Sequence, residues 1–187
     1  MRILGISGSL RHGSHNRALL KAAAGELPPT AEFLEYTGLA ELPAHDEDLD
    51  ATIAPAPIQS LRETIDAADA LIIATPEYNG SVPGALKNAL DWASRPWPDN
   101  SLRGKPVYLI GASTGLFGAV WAQAELRKIL ATIGANVIVN ELAVGQAHDA
   151  FDGAGPLGDR ELRARLSEGV AALSEAATPP ALESVAC

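Results

Sequence analysis

Hydrophobic residues in this chain occur in short runs, separated by longer stretches in which apolar positions recur with a helical period. The short runs predict buried parallel strands at residues 3–7, 31–36, 70–75, 107–112 and 136–139. The longer stretches predict helices with one apolar face at residues 16–26, 58–68, 83–94, 117–133 and 159–176. Strands and helices therefore alternate along the whole chain. This pattern predicts a doubly wound α/β fold of three layers, in which helices cover both faces of a five-stranded parallel sheet.

Alternation by itself does not fix the order of the strands, and the order 2-1-3-4-5 is favoured because it is common in doubly wound folds. Polar residues and prolines mark three helix starts. Asn16 lies where the first helix should have its N-cap, Pro83 suits a first helical turn, and Asp159 can cap the last helix.

The length of 187 residues fits one domain, which we expect at residues 1–177. Small residues and a Pro-Pro pair predict a disordered tail at residues 178–187. Loops are expected at residues 37–57, 96–106 and 145–158. The functions of the last loop and of Trp121 stay open at this stage.

Composition excludes several classes of function. Fourteen basic and twenty-three acidic residues give a net charge of −9, so we expect no nucleic-acid partner. The only cysteine is Cys187, and the four histidines lack metal-ligand spacing, so neither a thiolate cluster nor another metal site is expected. The N-terminus resembles neither a signal peptide nor a membrane span, which favours a cytoplasmic protein without a membrane partner.

A loop rich in glycine and serine follows the first predicted strand and leads into the first helix. It reads Gly-Ser-Leu-Arg-His-Gly-Ser-His-Asn at residues 8–16. Backbone N–H groups at such a helix start, with hydroxyls from Ser7, Ser9 and Ser14, can bind a phosphate, and Arg11 can add a charge-assisted donor. An ordinary polar turn with a helix cap is an equally good interpretation of this loop taken alone.

Two other nucleotide motifs are absent from the sequence. No Gly-x-x-x-x-Gly-Lys-Ser/Thr occurs, and Gly5, Gly8 and Gly13 do not have Gly-x-Gly-x-x-Gly spacing.

A second polar loop reads Thr-Pro-Glu-Tyr-Asn-Gly-Ser at residues 75–81, where it follows the third predicted strand and precedes a helix. Since ligands of open α/β sheets bind at the carboxyl ends of strands, the two stretches predict one site for a flat, phosphorylated ligand.

The two stretches, with Pro-Gly-Ala-Leu-Lys-Asn-Ala-Leu-Asp-Trp at residues 83–92, resemble the NADPH-dependent FMN reductases, a family with a flavodoxin-like fold. The resemblance covers residues 1 to about 175. It implies that the first loop holds the FMN phosphate, that residues 76–81 run along the isoalloxazine ring, and that residues 113–115 approach the ring from its other side. The implied cofactor-binding residues are Ser9, Arg11, Ser14, His15, Asn16, Pro76, Glu77, Tyr78, Asn79, Gly80, Ser81, Ser113, Thr114 and Gly115.

Several of these residues admit more than one interpretation. For Glu77 a structural role is favoured, because hydride transfer to a flavin needs no carboxylate base and the cofactor carries the chemistry. No catalytic side chain is therefore assigned. His15 could place a titrating charge beside FMN, although a loop histidine without a role is the commoner case. Residues 113–115 could equally form a plain glycine-rich turn.

The resemblance implies an enzyme that takes hydride from NADPH or NADH at flavin N5 and passes electrons to a small-molecule acceptor. Quinones, flavins, azo compounds and oxidised metal anions are all possible acceptors. The resemblance also implies a homodimer. A tetramer is in doubt, because Ala119 and Trp121 precede Ala122 and Gln123 where many members have a second Gly and an Arg. An FMN-bearing electron carrier and a flavin-free interaction domain are the alternatives.

Overall fold

A computed structural model describes residues 1–50, 53–151 and 157–178. Within these residues one sheet carries five parallel strands in the order β2-β1-β3-β4-β5, as predicted. The strands are β1 (Arg2–Ser7), β2 (Glu32–Tyr36), β3 (Ala70–Thr75), β4 (Pro106–Ala112) and β5 (Asn136–Val144). The flavodoxin-like fold class is therefore confirmed.

All five predicted helices are present, and two short ones lie in the loop after β2. A 3₁₀ turn (Gly38–Glu41) follows β2. The α-helices are α1 (His15–Gly25), α2 (Glu47–Asp50), α3 (Ala56–Asp66), α4 (Gly84–Ala93), α5 (Val120–Ile133) and α6 (Arg160–Ala177). The predicted cap at Asp159 is confirmed, since its carboxylate accepts from Leu162 N–H at 2.9 Å. The prediction of a disordered tail falls, beyond Thr178, outside the described residues.

Several predicted boundaries are wrong. Ser14, not Asn16, is the N-cap of α1, and Pro83 precedes the first turn of α4 instead of lying in it. The predicted start of α5 at residue 117 is three residues early, because Gly118 and Ala119 have φ of +59° and +65°, which a right-handed helix cannot include. The predicted end of β5 at residue 139 is five residues early.

Alternating strand residues supply two separate cores. Leu4, Ile6 and Ile73 belong to the cluster on one face, together with apolar residues of α3, α4 and α5. Ile3 and Ile72 belong to the cluster on the other face, together with residues of α1 and α6. Because both faces are covered, the inner strands are buried almost throughout, and only the strand ends and their loops are free to form a site.

Candidate functional site

The loops that follow β1, β3 and β4 meet in one pocket at the carboxyl edge of the sheet. Its volume is about 290 Å³. The residues that line it are Ser9, Arg11, Ser14, His15, Asn16, Pro76, Glu77, Tyr78, Ala112, Ser113 and Thr114. Of the candidates from the sequence, four lie outside this lining: Asn79, Gly80, Ser81 and Gly115. The structure thus brings most of the candidate residues together, and it adds Ala112, which has no functional side chain to mark it in the sequence.

Several hydrogen-bond donors of the pocket lie close together at the start of α1. Ser14 Oγ accepts from Arg17 N–H at 3.3 Å, and the first helical bond runs from Ala18 N–H to Ser14 C=O. The amides of His15 and Asn16 precede that bond and have no acceptor among the described residues. Arg11 uses one guanidinium N–H on the carbonyl of Gly13, at 2.7 Å, and a guanidinium has five.

Asn16 joins this loop to the end of β4. Its Nδ2 donates to the carbonyl of Ala112 at 2.8 Å, and its Oδ1 accepts from the Ala112 amide at 2.9 Å. Asn16 is only 3% exposed. Because these two bonds fix the side chain, the backbone amide of Asn16 and the second N–H of its Nδ2 are the donors that stay available to a ligand.

Gly8 allows the first two loops to pack closely. A Cβ atom on Gly8 would lie 2.9 Å from Leu86 Cδ2 and 3.3 Å from Pro76 Cδ, and the Gly8 amide donates to Ala74 C=O at 2.8 Å. Any larger residue would therefore push the loop after β1 away from the loop after β3.

A tight turn forms the outer part of the second loop. Tyr78 and Ser81 exchange two backbone hydrogen bonds of 3.1 Å, and Asn79 and Gly80 between them have φ of +53° and +74°. Two successive positive φ values define a type I′ turn, for which Asn-Gly is the preferred pair. Tyr78 is 53% exposed, so its ring is free to cover a ligand at the mouth of the pocket.

Two side chains fasten this turn to α5. Glu77 Oε2 accepts from the amides of Trp121 and Ala122, at 3.1 and 3.2 Å, and the Ser81 hydroxyl donates to the carboxylate of Glu125. Ala119, the residue before α5, makes no capping hydrogen bond with its own side chain. The carboxylate of Glu77 therefore serves as the helix cap, which agrees with the structural role favoured from the sequence.

The third loop is held mainly by the end of β5. Ser113 N–H donates to Val144 C=O at 3.0 Å, Ala147 N–H to Ser113 C=O at 3.0 Å, and Gln146 N–H to Gly115 C=O at 2.9 Å. These bonds fix the backbone of the loop and leave the side chains of Ser113 and Thr114 in the pocket wall.

His15 contributes an electrostatic feature to the pocket. Burial lowers the pKa of this imidazole below its ordinary value of 6.5, and the Arg11 guanidinium and His148 lower the pKa further. Its ring stacks on Phe151, with 6.3 Å between ring centroids and 9° between planes. The surroundings of His15 are thus positive, as expected beside a site for a phosphate.

The donors present fit FMN. A phosphate needs several donors on one side, which the α1 amides, Arg11 and the serine hydroxyls provide. A flat ring needs an aromatic side chain to cover it, which Tyr78 provides. It also needs backbone that can approach closely without bulky side chains, which the Asn79–Gly80 turn provides. Among the described residues no group of three or more His, Cys, Asp or Glu is placed to hold a metal ion, and no helix is long and apolar enough to cross a membrane.

The sequence of the chain is similar to those of known flavin-dependent reductases. Residues 1–149 match the family model for NADPH-dependent FMN reductase. The chain is 43% identical over 174 residues to an NAD(P)H-dependent FMN reductase of Pseudomonas aeruginosa, covering 92% of this chain and 93% of that protein. It is 40% identical over 149 residues to a 2-hydroxy-1,4-benzoquinone reductase of a Burkholderia species, covering 80% of each.

Among solved structures, the NAD(P)H:(acceptor) oxidoreductase of Paracoccus denitrificans, a flavoenzyme, superposes with a TM-score of 0.85 at 35% identity. The match covers 94% of this chain and 96% of that one. The fold and the sequence are those of a flavin-dependent oxidoreductase. The chain belongs to the NADPH-dependent FMN reductase family, and the predicted cofactor FMN and nicotinamide co-substrate are those of that family.

Proposed function

We propose that the chain is an FMN-dependent reductase that uses NAD(P)H to reduce quinones, with FMN in the pocket between the three loops. One observation carries this proposal: ten of the fourteen residues assigned to FMN, from separate parts of the sequence, line one pocket of about 290 Å³. The site residues and the acceptor are the parts of the proposal that need experiment.

The first loop would hold the phosphate. The amides of His15 and Asn16, the hydroxyls of Ser9 and Ser14 and the guanidinium of Arg11 all line the pocket near the start of α1, where the helix dipole favours an anion. Arg11 matters most for charge, because the chain carries a net charge of −9 and offers an anion no long-range attraction.

The second and third loops would hold the ring. Tyr78 can cover an aromatic face, while the amides of the Asn79–Gly80 turn are donors for the polar edge of the isoalloxazine. Ser113 and Thr114 form the opposite wall. The predicted role of Gly80 as a point of close approach stays a prediction, because the positive φ of the turn already accounts for a glycine there.

When bound, FMN supplies the redox chemistry, accepting hydride from the nicotinamide and giving electrons to the acceptor. The residues of this chain bind and orient the two substrates. The backbone donors are fixed before binding by the Asn16–Ala112 and Ser113–Val144 hydrogen bonds, so their orientation costs little when the ligand arrives.

Quinones are the acceptor class that we favour. Two lines support this choice: the Burkholderia relative is named for a benzoquinone, and a quinone reductase of Escherichia coli is 40% identical over 139 residues. A quinone is flat and apolar, and exposed aromatic residues beside the pocket (Tyr78, Phe117 and Trp121) suit such a molecule.

We also propose a homodimer. An open groove of about 450 Å³ lies between α4 and α5, and the exposed ring of Trp97 lines it together with charged side chains such as Lys87 and Lys128. Covering Trp97 would favour association. Light scattering coupled to size-exclusion chromatography measures the mass directly, and a monomer at micromolar concentration would contradict the proposal.

The experiment that tests the function begins with an FMN titration of the purified protein, followed by anaerobic addition of NADPH or NADH. We expect bound flavin that bleaches on addition of nucleotide and regains its colour when benzoquinone is added. Bound flavin that stays oxidised with both nucleotides would favour the electron-carrier alternative. Protein that binds no FMN would refute the proposal.

A further inference from the structure

Helix α5 lies outside the pocket lining, yet two of its regions contact the turn beside the pocket. Its first turn is capped by Glu77, and Glu125, one helical turn further on, accepts from the Ser81 hydroxyl. Glu77 immediately precedes the Tyr78–Ser81 turn, and Ser81 is the last residue of that turn. The turn is therefore fastened to one helix at both ends, while Asn79 and Gly80 between them are exposed.

We infer that Glu77 and Glu125 are positioning residues, which hold the Tyr78–Ser81 turn against α5 in the conformation that binds FMN. This inference rests on the proposal that the pocket is the FMN site. It assigns a role to Glu125, an exposed residue of α5 that neither lines the pocket nor appears among the candidates from the sequence.

Such positioning residues are needed because the internal contacts of a short turn do little to fix its orientation. The two hydrogen bonds between Tyr78 and Ser81 close the turn, but they do not fix its direction relative to the sheet. Glu77 supplies direction because its carboxylate accepts from two amides at the positive end of α5. Glu125 supplies a second point of attachment. Two points of attachment prevent the turn from rotating about either of them.

The same contacts explain how α5 begins. Ala119 has φ of +65° and no side chain that can cap, so the first amides of α5 depend on a carboxylate 44 residues earlier in the chain. Loss of Glu77 would therefore affect both the helix and the turn. Glu125 separates these effects, because it accepts from Ser81 at the helix surface and caps nothing.

The test compares FMN dissociation constants, measured by quenching of flavin fluorescence. We expect Glu125→Ala to raise the dissociation constant about 3- to 10-fold, the range for one ordinary hydrogen bond at the surface, and Glu77→Ala to raise it about 10- to 100-fold. Glu125→Gln keeps an acceptor oxygen and should stay within about twofold of wild type. Lys128→Ala, the matched control on the exposed face of α5, should do the same.

A second control removes a helix cap elsewhere. Asp159→Ala takes the cap from α6, so it should lower the melting temperature about as much as Glu77→Ala while leaving FMN affinity unchanged. In the protein without flavin, hydrogen exchange at the Ser81 amide should speed up in Glu125→Ala, and exchange at the Trp121 and Ala122 amides should speed up in Glu77→Ala.

Unchanged FMN affinity in Glu125→Ala would overturn the inference. An equal loss of FMN affinity in Asp159→Ala and Glu77→Ala would also overturn it, because lower stability alone would then explain the effect of Glu77→Ala. The proposed function fails separately, if the wild-type protein itself does not bind FMN. The hydrogen-exchange result is independent of flavin and tests the attachment of the turn in either case.

Discussion

Replacing Asn16 with alanine tests the link between the phosphate loop and the central sheet. The side chain makes two hydrogen bonds, of 2.8 and 2.9 Å, to the backbone of Ala112, and the residue is 3% exposed. Asn16→Ala leaves a buried N–H and a buried C=O without partners. Each such group costs about 1–3 kcal/mol, so the expected loss is about 2–6 kcal/mol of unfolding free energy. For a chain of this length that is about 4–24 °C in melting temperature.

The assay is urea unfolding of the flavin-free protein, combined with FMN titration under native conditions. Asn100→Ala is the matched control, because Asn100 also makes two buried hydrogen bonds, to Ile133 C=O and from Leu102 N–H, both 3.1 Å long. Asn100 does not line the pocket. Both variants should therefore lose similar stability, whereas only Asn16→Ala should weaken FMN binding, because it frees the start of α1 from the end of β4.

Two results would refute this reasoning. A stability loss below about 1 kcal/mol in Asn16→Ala would mean that the Ala112 backbone groups are not left unsatisfied. An equal change of FMN affinity in both variants would mean that the link has no particular role in the site. Asn16→Asp adds a further check: its carboxylate can still accept from the Ala112 amide but repels the carbonyl oxygen, so it should also be destabilised.

Three further predictions concern charge and packing. Arg11→Ala should raise the FMN dissociation constant about 10- to 100-fold, and an unchanged constant would remove Arg11 from the site. The lowered pKa of His15 means that the folded state favours the neutral ring. The contribution of His15 to stability is therefore present above pH 6.5 and is lost as the pH falls through the folded pKa. NMR titration should show the pKa of His15 rising when the FMN phosphate binds. Gly169→Ala should destabilise the protein by about 1–3 kcal/mol in thermal unfolding, since its Cβ would lie 2.1 Å from Tyr108 Cζ, whereas Gly84→Ala, which meets open space, should be close to neutral.

The inner strands could be predicted from the sequence because they are apolar throughout. β3 has the predicted boundaries, and β1 and β4 each begin one residue earlier than predicted. β5 could not be delimited in this way, since it is an edge strand whose central positions, including Asn140 and Glu141, face solvent. A polar edge strand lacks the continuous apolar run from which the others were found.

The meeting of the candidate residues in one pocket could also be predicted, because the carboxyl ends of parallel strands meet at one edge. The contacts that organise it could not. Asn16 and Ala112 are 96 residues apart, and Glu77 and Trp121 are 44 apart, so no local pattern relates them. The residue type of Asn16 predicts a helix cap, and only the fold shows that its side chain bonds to the backbone of Ala112 instead.

The Glu77 contact to α5 has a consequence for the order of events during synthesis. The pocket uses residues from Ser9 to Thr114, and the turn at its mouth is fixed only when the Trp121 and Ala122 amides are in place. If FMN binds in this pocket, a nascent chain must extend past Ala122, and beyond it to Val144, which holds the third loop, before it can retain the cofactor. Shorter nascent chains would not retain FMN.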